Sequence, residues 1–253
     1  MAKKVCLVLG AGAGIGGTVA ARFAQDGYHS CLCRRSDQEG LDQLVKGIND
    51  DGGEASGFLI DATEENSLED LILEIENTIG PIDVLVYNLG AQSGMKLLHE
   101  TSLKEFEWGW RMGNFGLFRV AKVLMPLMTE RGSGTVLVTS ATAAMRGNKN
   151  QHSHATAMGG RRILCQTLNA EFASKGIHIA HIVVDGMVDA PDTLGKMLGK
   201  ELFEELRATK GKADGLILPT EVADAYYYLS QQHRSSWTHE LDIRSYSDSA
   251  WWN

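Results

Sequence analysis

Two groups of residues near the start of the chain have the makings of a phosphate site. Gly10-Ala-Gly12-Ala-Gly14-Ile15-Gly16-Gly17 follows at once on an apolar run and leads into a stretch of helical periodicity. Glycines at this spacing permit a tight turn and let the backbone approach a pyrophosphate. The helix start that follows offers unpaired N–H groups and a partial positive charge. The second group is Leu32-Cys33-Arg34-Arg35, at the end of the next apolar run. An acidic residue there would hydrogen-bond the free ribose hydroxyls of NAD, whereas a guanidinium fork suits the 2′-phosphate of NADP. Asp37, later in the same turn, is the weaker rival, and two solvated arginines in a loop are the plain alternative. The expected cofactor is therefore NADP(H) rather than NAD(H).

These groups need elements to hold them. Strand-sized runs rich in Val, Ile and Leu recur at 5–9, 29–33, 55–60, 82–87, 135–139 and 177–184, and a last one at 237–243. Between them lie stretches of helical period, among them 16–25, 67–78, 106–128 and 155–173. This alternation implies βαβ units around a parallel sheet. The expected fold is a single α/β domain over 1–253, a Rossmann-type doubly wound sheet of about seven strands flanked by helices, with its crevice beyond the strand C-termini. Residues 187–212, rich in Gly, Lys and Glu, follow the sixth run and suit a helical flap over that crevice.

Further motifs carry a family resemblance. Leu9-Gly10-Ala-Gly-Ala-Gly14-Ile15-Gly16, Tyr87-Asn88-Leu89-Gly90 and the run Val136-Leu-Val-Thr-Ser140 are similar to T-G-x-x-x-G-I-G, N-N-A-G and the serine-ending strand of the short-chain dehydrogenase/reductase family. The resemblance covers nearly the whole chain. It implies cofactor contacts from Asn88 and Gly90, an adenine contact from Asp61 with Ala62 beside it, and nicotinamide-side contacts from Met158, Gly186 and Val188. It also implies catalytic roles for Ser140 and for Asn114 at the start of the long fifth helix.

The family's hallmark Y-x-x-x-K is where this sequence departs. With Leu168 and Glu171 as anchors, His154 falls on the tyrosine and Met158 on the lysine; a one-residue shift gives Ser153 and Ala157 instead. Neither register restores the pair. In the family the lysine holds the nicotinamide ribose and lowers the tyrosine pKa, and the tyrosine exchanges a proton with the substrate oxygen. A thioether supplies no charge and is at best a weak acceptor. An imidazole titrates near neutrality and can serve as acid or base unaided, or it can merely fill the phenol's space. His152, Lys149, Arg161 and Arg162 are neighbours that could compensate, with solvated roles the simpler expectation for each. Asp185-Gly186 replaces the usual Pro-Gly, and Ala190 stands where a threonine often does.

Composition excludes several classes. A net charge of -8 argues against a general affinity for nucleic acid or anionic lipid. Cys6, Cys31, Cys33 and Cys165 show no C-x-x-C and no zinc spacing with His, so neither a disulfide framework nor a metal site is expected. The start Met-Ala-Lys-Lys runs straight into a strand, leaving no room for a secretory signal, and no apolar run is long enough to span a bilayer; a cytoplasmic protein is expected. Resemblance implies a homodimer or homotetramer.

Three activities fit this sequence. The first is NADP(H)-dependent interconversion of a carbonyl and an alcohol, or reduction of an activated C=C, on a small molecule at an altered site. The second is a silent NADP(H)-binding sensor or partner subunit. The third is non-redox lyase or dehalogenase chemistry on the same scaffold. A hydrolase is rejected, because Ser140 lacks a G-x-S-x-G elbow. Residues 91–100 and the 187–212 flap would border a partly apolar substrate, and the Trp251-Trp252 tail would dock on a subunit or over the crevice.

Overall fold

The computed structural model describes residues 3–90 and 95–247, so the Trp251-Trp252 tail and residues 91–94 of the expected substrate entrance lie outside the described residues. Seven strands form one parallel sheet: β1 (Val5–Leu9), β2 (His29–Arg34), β3 (Glu54–Leu59), β4 (Ile82–Tyr87), β5 (Gly134–Ala141), β6 (Ile177–Asp185) and β7 (Glu240–Arg244). Their spatial order is β3-β2-β1-β4-β5-β6-β7. The chain reverses direction of travel across the sheet between β1 and β4, and a crevice opens at that switch point beyond the strand ends.

Helices cover both faces. They are α1 (Ile15–Gln25), α2 (Gln38–Asp50), α3 (Ser67–Thr78), α4 (Leu103–Trp110), α5 (Gly116–Arg131), α6 (His152–Phe172), α7 (Lys196–Leu198), α8 (Lys200–Thr209) and α9 (Pro219–Ser230). Along β1, Val5, Leu7 and Leu9 enter one core, shared with α3, α5 and α6; Cys6 and Val8 enter the other, shared with α1 and α9. That is the period-two alternation of a strand buried on both sides. All four cysteines are free and buried. Among the described residues no helix is long and apolar enough to cross a membrane.

One expected element is corrected. The helical run 106–128 is not one regular helix: α4 and α5 are joined by a π-helical turn, Arg111–Phe115. A π turn is a single widened turn within a longer helix, too short to stand out in periodicity read over many residues. The turn carries Asn114. The 187–212 segment is helical, comprising a π turn at Pro191–Gly195 followed by α7 and α8. Its base is tied down where Val188 bridges Ile217.

Candidate active site

The glycine loop is shaped by its own backbone. Gly10 takes φ +92° while its N–H and that of Ala11 both donate to Cys33 O, at 3.0 and 2.9 Å, pulling the end of β1 against β2. A Cβ on Gly10 would lie 2.6 Å from Asn88 O, and one on Gly16 would lie 2.2 Å from Gly10 O. Asn88 closes this corner by donating from Nδ2 to Gly10 O at 2.8 Å. Gly12 differs: a Cβ there would meet nothing within 4 Å. Its smallness serves no packing within the described chain and leaves open space facing the crevice. The α1 N-terminus has no side-chain cap and no acidic residue in its first turn. An open, uncapped helix start is what a pyrophosphate requires, so the loop fits a dinucleotide.

This loop lines a cleft of about 500 Å³. Gly10, Gly12, Gly14, Ile15 and Gly16 form one side, and Asn88 and Gly90 follow from the end of β4. Arg34, Arg35 and Val188 border it as well. Asp61, Ala62, Met158 and Gly186 are not on its walls. Asp61 Oδ1 accepts from the N–H of Thr63 at 2.9 Å and from its hydroxyl at 2.6 Å, and the hydroxyl bond holds the carboxyl below the usual range. The Ala62 carbonyl is occupied by Arg119 Nη1 at 2.9 Å, a guanidinium that also grips Glu69. Gly186 has φ +153° at the end of β6.

Arg34 is not the open fork that the sequence implies. It is largely buried, and its Nη2 lies 3.0 Å from Asp37 Oδ2 and 3.4 Å from Asp192 Oδ2. Asp37 is thus part of the site despite its late place in the turn. It sits at φ 71° as the N-cap of α2, accepting from Gly40 N, and this left-handed turn swings its carboxylate back to the arginine. Arg35 is exposed and borders the cleft.

Beyond β5, the structure brings Ser140 and Met158 together. Ser140 is buried at the end of β5, with its Oγ directed at Met158 Sδ, 3.8 Å away. Met158 therefore faces the serine. Ser153, the other register's candidate, points elsewhere and donates to Glu105 O on α4 at 3.1 Å. Asn114 donates from Nδ2 to Ala157 O at 2.9 Å, tying the π turn to α6. That contact demands small neighbours. A Cβ on Gly160 would be 2.6 Å from Asn114 Oδ1, and one on Gly113 would be 2.8 Å from Ala157 Cβ.

His154, one helical turn before Met158 and on the same face, is half-buried. Its Nδ1 is buried and has no hydrogen-bond partner among the described residues. Burial, with the nearby Arg161 charge adding to it, lowers its pKa below the ordinary imidazole value. At neutral pH the ring is uncharged, with a proton-accepting nitrogen available. Asp185, in the place of the family's proline, accepts from Thr142 Oγ1 and lies 3.8 Å from Arg244 Nη1.

The largest departure from expectation is Arg161, only 2% exposed. Its guanidinium donates from Nε to Gly113 O at 2.9 Å and from Nη1 to Thr139 O at 2.6 Å. Nη2 donates to Leu89 O at 2.8 Å and Met112 O at 3.4 Å. One side chain thus binds the loop after β4, the π turn with Asn114 and the residue preceding Ser140, and its carbon Cζ lies 5.1 Å from the Tyr87 ring centre. A pattern signal existed: the buried positions Ala157, Met158, Arg161, Cys165 and Leu168 of α6 recur at helical spacing. Arg162 is the surface member of the pair, forked onto Glu240 at 2.6 and 2.8 Å.

Comparison with known proteins agrees with this fold. The model of the short chain dehydrogenase family matches residues 4–197. Over 243 residues, 92% of each chain, the sequence is 27% identical to a 3-oxoacyl-(acyl-carrier-protein) reductase of Thermotoga maritima. An alcohol dehydrogenase from the archaeon Thermococcus sibiricus, complexed with 5-hydroxy-NADP, superposes with a TM-score of 0.83 at 25% identity, covering 98% of this chain and 99% of that one. An actinorhodin polyketide ketoreductase with NADPH gives a TM-score of 0.84 at 26% identity, covering 96% and 98%.

Proposed function

Because this chain belongs to the short-chain dehydrogenase family, a family of oxidoreductases, we propose that it interconverts a small alcohol and its carbonyl with NADP(H), using His154 as the proton-exchanging group. The observation that carries the cofactor half is the cleft itself, where Gly12 leaves open space before an uncapped helix and Arg34 and Arg35 stand at the end of β2. The similarity to structures holding NADPH and 5-hydroxy-NADP supports the same choice. The pyrophosphate would lie on the Gly10 to Gly16 loop, the 2′-phosphate by Arg34 and Arg35, and the nicotinamide end toward Val188 and Gly186. When bound, the cofactor supplies or accepts the hydride.

The remaining work falls to this chain's residues. Ser140 Oγ–H donates to the substrate oxygen, and neutral His154 takes the proton from an alcohol or, once protonated, returns it to an alkoxide. Asn114 holds α6 in register with the π turn, and Met158 fills the lysine's place without its charge. Leu89, Trp108 and Met112 on the cleft wall favour a partly apolar substrate. The aromatic stripe of Phe106, Trp110, Phe115 and Phe118, exposed along α4, the π turn and α5, favours self-association as a homodimer or homotetramer. Four free, buried cysteines favour a reducing, cytoplasmic setting for this chemistry. Met158 is the observation that favours a second reading, a silent NADP(H)-binding subunit.

The lowered His154 pKa fixes the sign of the pH dependence. Alcohol oxidation needs the neutral ring, so its rate is expected to hold from neutrality down past the ordinary imidazole value and fall only in stronger acid. Carbonyl reduction needs the imidazolium and is expected to rise as pH falls. His154→Phe should cut either rate by about a hundred- to ten-thousand-fold. It should also remove the ring's titration from the profile. Initial rates against pH measure both, and an unchanged profile in the Phe variant would show that the ring only fills space.

A further inference from the structure

Asp192 stands where an anion would be held. It lies in the π turn Pro191–Gly195 at the start of the flap, yet its Oδ2 is 3.4 Å from the Ala13 N–H of the glycine loop and 3.4 Å from Arg34 Nη2. Its Oδ1 pairs with Lys196 at 3.2 Å. Burial opposes its charge, but the Lys196 bond and charge, with Ala13 and Arg34 adding, outweigh it and keep the carboxyl below its usual range. The neighbouring Ala190 presses on the same loop, since a Cβ on Gly14 would lie 2.9 Å from Ala190 Cβ. Arg34 borders both the main cleft and a second cavity of about 420 Å³ lined by Ala13, Asp37 and Asp192. Arg34 and Asp37 line both, and Asp192 lines the second beside them.

A carboxylate accepting from one loop N–H and one guanidinium makes the bonds that a phosphate would make there. We propose that Asp192 is a specificity-determining latch: its carboxylate occupies the 2′-phosphate position and holds the flap on the glycine loop until the phosphate of NADP(H) displaces it. The inference rests on the reading of this cleft as an NADP(H) site. The uncharged hydroxyls of NAD(H) can leave the Arg34–Asp192 pair in place, whereas a 2′-phosphate must break it, so the latch sets a cost on NADP(H) above all and narrows the preference that the arginine pair gives. A residue far along the sequence from the arginine pair thereby tunes cofactor preference.

The test titrates NADPH and NADH into the full chain and into Asp192→Asn, Arg34→Met and the double variant, at one fixed salt concentration. Removing the carboxylate frees the competent state and deletes a charge that repels phosphate, so Asp192→Asn should tighten NADPH about tenfold and NADH clearly less. In the Arg34→Met background the same change should gain less than about twofold, because the pair shares one interaction. Trypsin should also cut the cofactor-free Asn variant faster than the parent at Lys196, Lys200 or Arg207. NADPH binding that is unchanged or weaker in Asp192→Asn overturns the latch alone. No NADPH binding in any variant overturns the cofactor reading and the latch with it.

Discussion

Arg161→Leu is expected to lower the stability of this protein by about 3–5 kcal/mol, the range for breaking a buried charged network. For a chain of this length that is a fall of roughly 10 °C in Tm. The cause is local. Gly113, Thr139 and Leu89 each lose a donor to a carbonyl held at 2.9 Å or less, and Met112 loses a longer one while keeping the Tyr87 hydroxyl at 2.6 Å. A leucine of smaller reach makes none of these charge-assisted bonds, each worth more than a neutral one. Arg161→Lys keeps the charge but not the fork and should fall between the two. Thermal unfolding followed by circular dichroism measures the series, and a Leu variant as stable as its parent would show that these carbonyls find other donors.

The second large effect separates packing from binding within one loop. Gly12→Val should fold with nearly parental stability yet weaken NADPH binding at least about a hundredfold, because its side chain enters only the open cleft. Gly16→Val should lose both, since its Cβ would fall 2.2 Å from Gly10 O and 2.9 Å from Ala11 Cα, backbone atoms that cannot step aside. Fluorescence titration with NADPH, paired with a melting curve, reads the two properties separately. Parental affinity in Gly12→Val would mean that the cofactor does not lie on this loop.

What the sequence discloses of this molecule follows the range of the forces involved. The glycine loop is legible because strand, turn and helix are contiguous, and the parallel sheet because each run carries its own hydrophobic pattern. The proposed catalytic corner is only half legible. Family motifs bring Ser140, Asn114, His154 and Met158 into view, and of these Ser140 and Met158 are in contact. Arg161 escapes because an arginine is ordinarily read as a surface residue, and its four acceptors come from three separate segments. Asp192 escapes for a stronger reason: its partners Ala13 and Arg34 lie more than half the chain away, and no local pattern encodes such a pair.

The most direct test of the central claim is to supply the purified chain with NADPH and a panel of aldehydes, ketones and enones, following loss of the cofactor's absorbance alongside its binding affinity. The account predicts turnover of at least one partly apolar carbonyl compound by the parent, and a His154→Phe variant that binds NADPH as tightly but turns over at least about a hundredfold more slowly. Tight NADPH binding with no turnover on any compound would contradict it and leave a binding subunit in its place.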